Sequence, residues 1–380
     1  MKKRFGAVLC LVFLFNACPA RAVVGTPGEI KATSAILMEK ETGQILYEQN
    51  SHARLEPASV TKVMTMLLVM EAIDSGALSL EQPITVSAHA VSMGGSQIWL
   101  KENEQMTVHD MLKAVAVVSA NDCAVALAES VAGSEDAFVA RMNQRAVELG
   151  MADTNFVNAT GLPAAGHVTS AHDIALMSRQ LILHHPEIRE YTTIWMDSLR
   201  NGAFQLSNTN KLIRFYEGAT GLKTGFTATA HYCLAATAER DGMELIAVTM
   251  DSPTSTDRFE TAKALLSFGF ANYALVNVYP DQALPPVSVD LGVYDAVQPI
   301  LTQTPRILVE KSQAGQVQTT LTLSPAVSAP VEEGQVLGQM EVTVDGQSVA
   351  KLPLVADRAV PRLTVGGIYR QLLSRLFMAA

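Results

Sequence analysis

The sequence predicts an α/β domain followed by a small all-β domain and a C-terminal amphipathic helix. Three observations carry this. Strand-like segments at both ends of the region from about Ile30 to Tyr273 enclose a helical middle, which suggests one sheet assembled from distant parts of the chain. After Tyr279-Pro280 helical periodicity stops and short alternating runs take over: "RILVEK", "VQTTLTL", "GQMEVTV" and "SVAKLPLV". At about 100° per residue, Ile368, Tyr369, Leu372, Leu373, Leu376 and Phe377 of "GIYRQLLSRLFMAA" share one half-circle, and Arg370, Gln371, Ser374 and Arg375 the other. With 380 residues, 48% hydrophobic and 17% charged, the chain is long enough for two globular domains. The expected divisions are 1–22, 27–276, 282–358 and 361–380.

Residues 1–22 have a basic start, an apolar run from Phe5 to Phe15, and Ala20-Arg21-Ala22, the layout of a secretory signal peptide cleaved after Ala22. The apolar run is too short to span a bilayer comfortably. The segment holds four of the 28 bases and none of the 37 acids, so 24 bases remain and the net charge becomes −13. That balance argues against a nucleic-acid partner. Cys10 and Cys18 leave with the signal, and Cys123 and Cys233 read as small buried hydrophobes.

"AILMEKETGQILYEQ" reads as a hairpin turning at Glu41-Thr42-Gly43. Ser59, just after Pro57, opens the apolar helix of "EPASVTKVMTMLLVME". Thr107 caps "TVHDMLKAVAVVS", and "SEDAFVARMNQRAVELG" has Ser134 as cap, two acids in its first turn and Gly150 as stop. "GLKTGFTATAHYCLAATAERDGMELIAVTM" reads as successive strands with a turn at Asp241-Gly242, and "RFETAKALLSFGF" as a closing helix. The β region of about eighty residues shows no cluster of His, Ser or acids and reads as a spacer or platform. The basic polar face of the last segment has the composition of an in-plane membrane anchor.

Lys62 is the one charge between Glu56 and Glu71, in a helix apolar nearly all round, where an unpaired ammonium costs several kcal/mol. Three residues of helix place its amine beside Ser59. Desolvation lowers a lysine pKa, so part of the amine can be neutral and take the proton of a serine nucleophile. Ser59 at a helix start also meets outward-pointing N–H groups that stabilise developing negative charge. In "VVSANDCAVALAE", Ser119 can relay a proton and Asn121 can hold a substrate carbonyl at a break between helices. In "GATGLKTGFTATA", Lys223 and Thr224 offer charge and a hydroxyl to a carboxylate, and Gly225 lets a substrate backbone lie along the strand edge.

S-x-x-K, S-x-N and K-T-G, in this order and 57 and then 102 residues apart, resemble the signature of penicillin-binding proteins and serine β-lactamases. Longer strings, including "MGGSQIWLKENEQMTVHDMLKAVAVVSANDCA", "NFVNATGLPAAGHVTSAHDIALMSR" and "DRFETAKALLSFGF", are similar to the low-molecular-mass D-alanyl-D-alanine carboxypeptidases that trim peptidoglycan stems. The resemblance implies a serine β-lactamase/D,D-peptidase-like fold, with an antiparallel sheet flanked by helices. It implies Ser59 as acyl-ester nucleophile, Lys62 as its proton acceptor and Ser119 as proton shuttle. Asn121 would hold the substrate amide, Lys223 and Thr224 the substrate side, and Arg258 the terminal carboxylate through its fork of donors. The N–H groups of Ser59 and Phe226 would form the oxyanion hole. Family members often carry His after K-T-G, where Phe226 stands here. The implied partners are pentapeptide stems, β-lactam antibiotics as covalent inhibitors, and a membrane surface on the outer face of the cytoplasmic membrane. No cofactor or metal is expected.

Four other readings compete. A class A lactamase deacylates through glutamate in E-x-x-x-N. Four residues after Glu135, Glu148, Glu187, Glu190 and Glu217 stand Val139, Ala152, Tyr191, Ile194 and Gly221, none of them Asn. A long-lived penicilloyl adduct is therefore expected. A D,D-endopeptidase would use the same machinery with a different groove. A non-catalytic wall-binding module would have no use for a buried Lys62. A metallopeptidase lacks H-E-x-x-H or similar spacing among the eight histidines.

Overall fold

The computed structural model describes residues 25–280, 283–302 and 305–369. The signal-peptide reading of 1–22, and the amphipathic segment from 370 onward, lie outside the described residues.

Glu41-Thr42-Gly43 turns the chain between β1 (Ser34–Glu39) and β2 (Ile45–Gln49). β3 (Ala219–Thr227), β4 (His231–Arg240) and β5 (Met243–Ser252) complete a five-stranded sheet of order β2-β1-β5-β4-β3, antiparallel throughout. β1 pairs with β5 across some two hundred residues of sequence, so the two strand-rich ends do meet in one sheet. The three central strands are buried on both faces, and side chains alternate between two cores. Ile36, Met38, Cys233, Ala235, Ile246 and Val248 face the helical middle. Ala35, Leu37, Leu234, Ala236, Leu245 and Ala247 face the closing helix, through its Phe259, Ala262, Leu265 and Phe270. Cys123 and Cys233 are both free and buried.

The helices of this layer are α1 (Lys62–Asp74), α2 (Val108–Val118), α3 (Asn121–Ala132), α4 (Glu135–Glu148) and α5 (Ala171–His184), with α6 (Ser255–Asn272) on the other face. Thr107 and Ser134 cap α2 and α4 by accepting from Asp110 N and Ala137 N. α1 is buried on nearly every side, as its uniform apolarity requires. Ser59 does not lie in α1 itself. It sits in a 3-10 turn, Ala58–Thr61, that feeds directly into Lys62. The tighter turn still leaves Ser59 and Lys62 one turn apart, so the facing pair survives.

A remote loop is clamped onto that turn. Thr65 Oγ1 donates to Ala159 O at 2.7 Å, and Asn158 Oδ1 accepts from Thr160 N and Gly161 N at 3.1 and 2.7 Å. Gly161 has φ +81°, and a Cβ there would stand 1.8 Å from Ala58 O and 2.8 Å from Thr61 Oγ1. His167 supports the turn from below. Its Nδ1 accepts from Val157 N at 3.0 Å, which leaves Nε2–H to donate to Thr61 Oγ1 at 2.8 Å. Burial, then the Lys62 charge, push His167 down to about 4, so the ring stays neutral above that pH.

The β region forms a four-stranded sheet of Pro299–Leu301, Gln347–Ala356, Val336–Val344 and Val317–Leu323, in that order. Its pairing begins before the texture change at Tyr279, because Tyr273–Asn277 pairs with Arg306–Glu310. The four runs read from alternation are all strands. The shorter Val287–Asp290, Ala296–Val297, Pro299–Leu301 and Ala326–Ser328 carry too few residues to show a period. Arg306 reaches back to Glu41 at 2.8 Å and ties this two-stranded pair, separate from the four-stranded sheet, to the β1–β2 turn. The chain becomes helical again from 365 to 369, where Thr364 accepts from Gly367 N and Ile368 N, and Val365, Ile368 and Tyr369 are exposed. No helix among the described residues is long and apolar enough to cross a membrane.

Gly161→Ala is expected to lower stability by about 3 kcal/mol, through overpacking and a positive φ together. A urea midpoint that falls at unchanged m would register it. A loss under about 0.5 kcal/mol would mean the loop can retreat from Ala58 without cost.

Candidate functional site

Lys62 is fully buried, and its Nζ donates to Ser59 Oγ at 3.0 Å and to Thr160 O at 2.6 Å. Burial holds the amine well below the ordinary lysine range, the Lys223 charge lowers it further, and the Asp122 carboxylate partly opposes both. A neutral amine in this position can accept the hydroxyl proton of Ser59. Thr160 escaped the sequence reading because it contributes only a backbone carbonyl, which any residue carries.

Ser119 stands at the break between α2 and α3 with φ +66°, a strained conformation for a residue with a Cβ. That kink places Asn121 at the start of α3. Asn121 N donates to Ser96 O at 2.7 Å, and its Nδ2 donates to Gly94 O at 2.6 Å. Ser119 Oγ and Asn121 Oδ1 are buried with no hydrogen-bond partner among the described residues. Two such atoms, two residues apart at the α2–α3 break, leave a polar demand that a substrate amide would satisfy. Asp122 was also not foreseen. Its buried carboxylate accepts from Ile98 N, Leu100 N and Cys123 N at 3.2, 3.1 and 2.9 Å, fastening the loop beside Asn121.

Lys223, Thr224 and Gly225 lie on β3, an edge strand of the sheet. Gly225 has a second reason to lack a side chain: a Cβ there would come within 2.8 Å of Pro57 O and 3.1 Å of Ser59 N. The strand therefore packs directly on the serine turn. Lys223 is buried, donates to Thr224 O at 3.0 Å, and is lowered to about 7 by burial and then by Arg258. Thr224 Oγ1 lies 2.6 Å from Thr209 Oγ1. Phe226 is exposed, its ring 4.4 Å from that of Tyr232.

Arg258, expected to grip the terminal carboxylate through its fork of donors, is in part engaged by the fold and in part unpartnered, its Nε being buried with no hydrogen-bond partner among the described residues. Nη1 donates to Gly225 O and Cys233 O at 2.9 and 3.3 Å, and Nη2 lies 3.5 Å from Ser255 Oγ. The guanidinium is wedged between Tyr232 and Phe259, and burial lowers it to about 10. One donor, Nη1, is turned toward the main chain that carries K-T-G. Among the described residues, no group of three or more His, Cys, Asp or Glu could hold a metal ion.

A serine beside a buried amine, with an unpartnered Ser/Asn pair and a cationic strand edge, defines a serine acyl-transfer site. Comparisons with known proteins agree. Residues 21–254 match the D-alanyl-D-alanine carboxypeptidase family model, and residues 276–362 match the C-terminal domain of penicillin-binding protein 5. The chain is 41% identical to D-alanyl-D-alanine carboxypeptidase DacF of Bacillus subtilis, over 86% of this chain and 85% of the relative. It is similar to penicillin-binding protein 5 from Haemophilus influenzae, with TM-score 0.78 and 30% identity, covering 89% of this chain and 100% of that one. It is also similar to penicillin-binding protein D2 from Listeria monocytogenes in its ampicillin-bound form, with TM-score 0.58 and 35% identity, covering 63% of this chain and 98% of that one. The chain belongs to the D-alanyl-D-alanine carboxypeptidase family and is a serine hydrolase of the penicillin-binding kind.

Because the Lys223 charge depresses Lys62, Lys223→Gln is expected to raise the Lys62 pKa. The acid limb of Ser59 acylation by a penicillin, which rises as Lys62 loses its proton, then moves to higher pH. The wild-type alkaline limb near 7, where Lys223 discharges, disappears. Stopped-flow acylation rates against pH would check this, and an unmoved acid limb would mean the two amines titrate independently.

Proposed function

We propose that the chain removes the terminal D-Ala from peptidoglycan stem peptides through an acyl-enzyme on Ser59. Lys62 Nζ takes the hydroxyl proton as Oγ bonds to the carbonyl carbon between the two D-alanines. The oxyanion rests on the N–H groups of Ser59 and Phe226. Ser119 passes a proton to the leaving amine as the C–N bond breaks, and water then hydrolyses the ester. Asn121 holds the substrate amide, and the stem lies as an added strand along β3 at Gly225. Lys223 and Thr224 meet the terminal carboxylate. Arg258 acts from behind the strand, adding positive charge and fixing the Gly225 carbonyl. One observation carries this reading: a fully buried amine 3.0 Å from the Ser59 hydroxyl.

A β-lactam carries a strained amide in place of the D-Ala-D-Ala bond, and the ampicillin-bound Listeria relative supports β-lactam binding here. With no E-x-x-x-N glutamate between Asn121 and Lys223, the penicilloyl ester persists. We further infer export by the 1–22 signal, the division into 27–276 and 282–358, and in-plane membrane anchoring by 361–380. Exposure of Val365, Ile368 and Tyr369 at the start of the last segment supports the anchor.

Mass-spectrometric mapping after benzylpenicillin treatment is expected to find one label, on Ser59, lasting well beyond a catalytic turnover. Ser59→Ala should take no label and release no D-alanine. Lys62→Arg, always charged, should lose about 10²- to 10⁴-fold in acylation rate. Rapid loss of the label would reassign the chain as a β-lactamase, and equal D-alanine release by wild type and Ser59→Ala would remove the serine mechanism.

A further inference from the structure

Trp99 is an outlier on this surface. It is 68% exposed, and it has φ +59°, a left-handed conformation that a bulky residue rarely adopts. Its neighbours Ile98 and Leu100 are buried in the core, so the chain between them is pinned and the indole is turned out. Two charged groups hold this geometry. Asp122 accepts from the N–H groups on both sides of Trp99, at 3.2 and 3.1 Å. Arg200 donates to Ile98 O and Trp99 O at 2.8 and 3.4 Å and is itself paired with Glu104 at 2.9 Å. The same loop supplies Gly94 O and Ser96 O to Asn121. Trp99 is thus fastened to the wall that carries the unpartnered Ser119 and Asn121 atoms.

Exposed aromatics are ordinarily tolerated one at a time without meaning. A bulky residue at positive φ, with a buried carboxylate and an arginine holding the backbone on both sides of one exposed indole, is not ordinary. The indole offers a rigid apolar face at low conformational cost, suited to an extended alkyl chain. We propose that Trp99 is a specificity residue for the acyl donor. It packs against the long aliphatic side chain of the stem residue preceding D-Ala-D-Ala and so selects donors that carry one. This rests on the reading of the Ser59 site given above.

The test compares full-length wild type, Trp99→Ala and Trp99→Phe on two donors, Nα,Nε-diacetyl-L-Lys-D-Ala-D-Ala and Nα-acetyl-L-Ala-D-Ala-D-Ala. Acylation by 6-aminopenicillanic acid, which has no acyl side chain, monitors the integrity of the Ser59 site. Trp99→Ala is expected to lower kcat/KM on the lysine donor about tenfold, mainly through KM, as befits one or two methylenes left in water. The alanine donor should stay within about twofold, the 6-aminopenicillanic acid rate should not change, and Trp99→Phe should keep most of the preference. The chain has two tryptophans, so Trp195→Phe in a Ser59→Ala background isolates Trp99 emission. That emission should shift saturably with the lysine donor and not with the alanine donor. Equal losses on both donors, a fall in the 6-aminopenicillanic acid rate, or no loss at all would each overturn the proposal. Failure of wild type to be acylated by 6-aminopenicillanic acid would remove the site reading and this proposal with it.

Discussion

The rest of the molecule depends on keeping one lysine amine out of water next to one serine hydroxyl. A charged amine at that depth is disfavoured by several kcal/mol, so burial holds the amine well below the ordinary lysine range, and the protein gives it two acceptors, Ser59 Oγ and Thr160 O. Water would restore an ordinary lysine pKa and, with it, an inert ammonium. Exclusion of water is therefore as much a part of the chemistry as the two side chains themselves.

Three separate parts of the chain do the excluding. The helices of the middle region bury α1 on nearly every side. The loop around Gly161 covers the serine turn from one direction, so closely that no Cβ fits. β3 covers it from another, with Gly225 against Pro57 O and Ser59 N. The last two contacts involve backbone, and backbone cannot move aside like the end of a flexible side chain. The site is rigid for that reason, and strain accumulates there: Ser119 and Trp99 both sit at positive φ.

Charge is distributed with the same economy. Lys62, Lys223 and Arg258 are three buried bases that depress one another in sequence, Arg258 acting on Lys223 and Lys223 on Lys62. Asp122 is the counterweight, close enough to raise Lys62 yet satisfied by three backbone N–H groups. Its carboxylate thus serves the loop and the electrostatics at once. A cluster with net positive character suits a substrate that ends in a carboxylate.

Much of this was legible in the sequence alone. An amine in an apolar helix one turn from a serine is a local pattern, and helical geometry makes it face that serine in any fold. Caps at Thr107 and Ser134, the Asp241-Gly242 turn and the four longer β runs are equally local, and each is found where its residues place it. What only the tertiary structure decided is what crosses long stretches of chain through groups that carry no sequence signal. Thr160 acts through a carbonyl, Asp122 through its reach to a loop more than twenty residues earlier, and Arg258 by donating Nη1–H to the Gly225 carbonyl of β3. A sequence specifies the side chains available to a site. Which backbone atoms come to meet them depends on packing, and packing is a property of the whole chain.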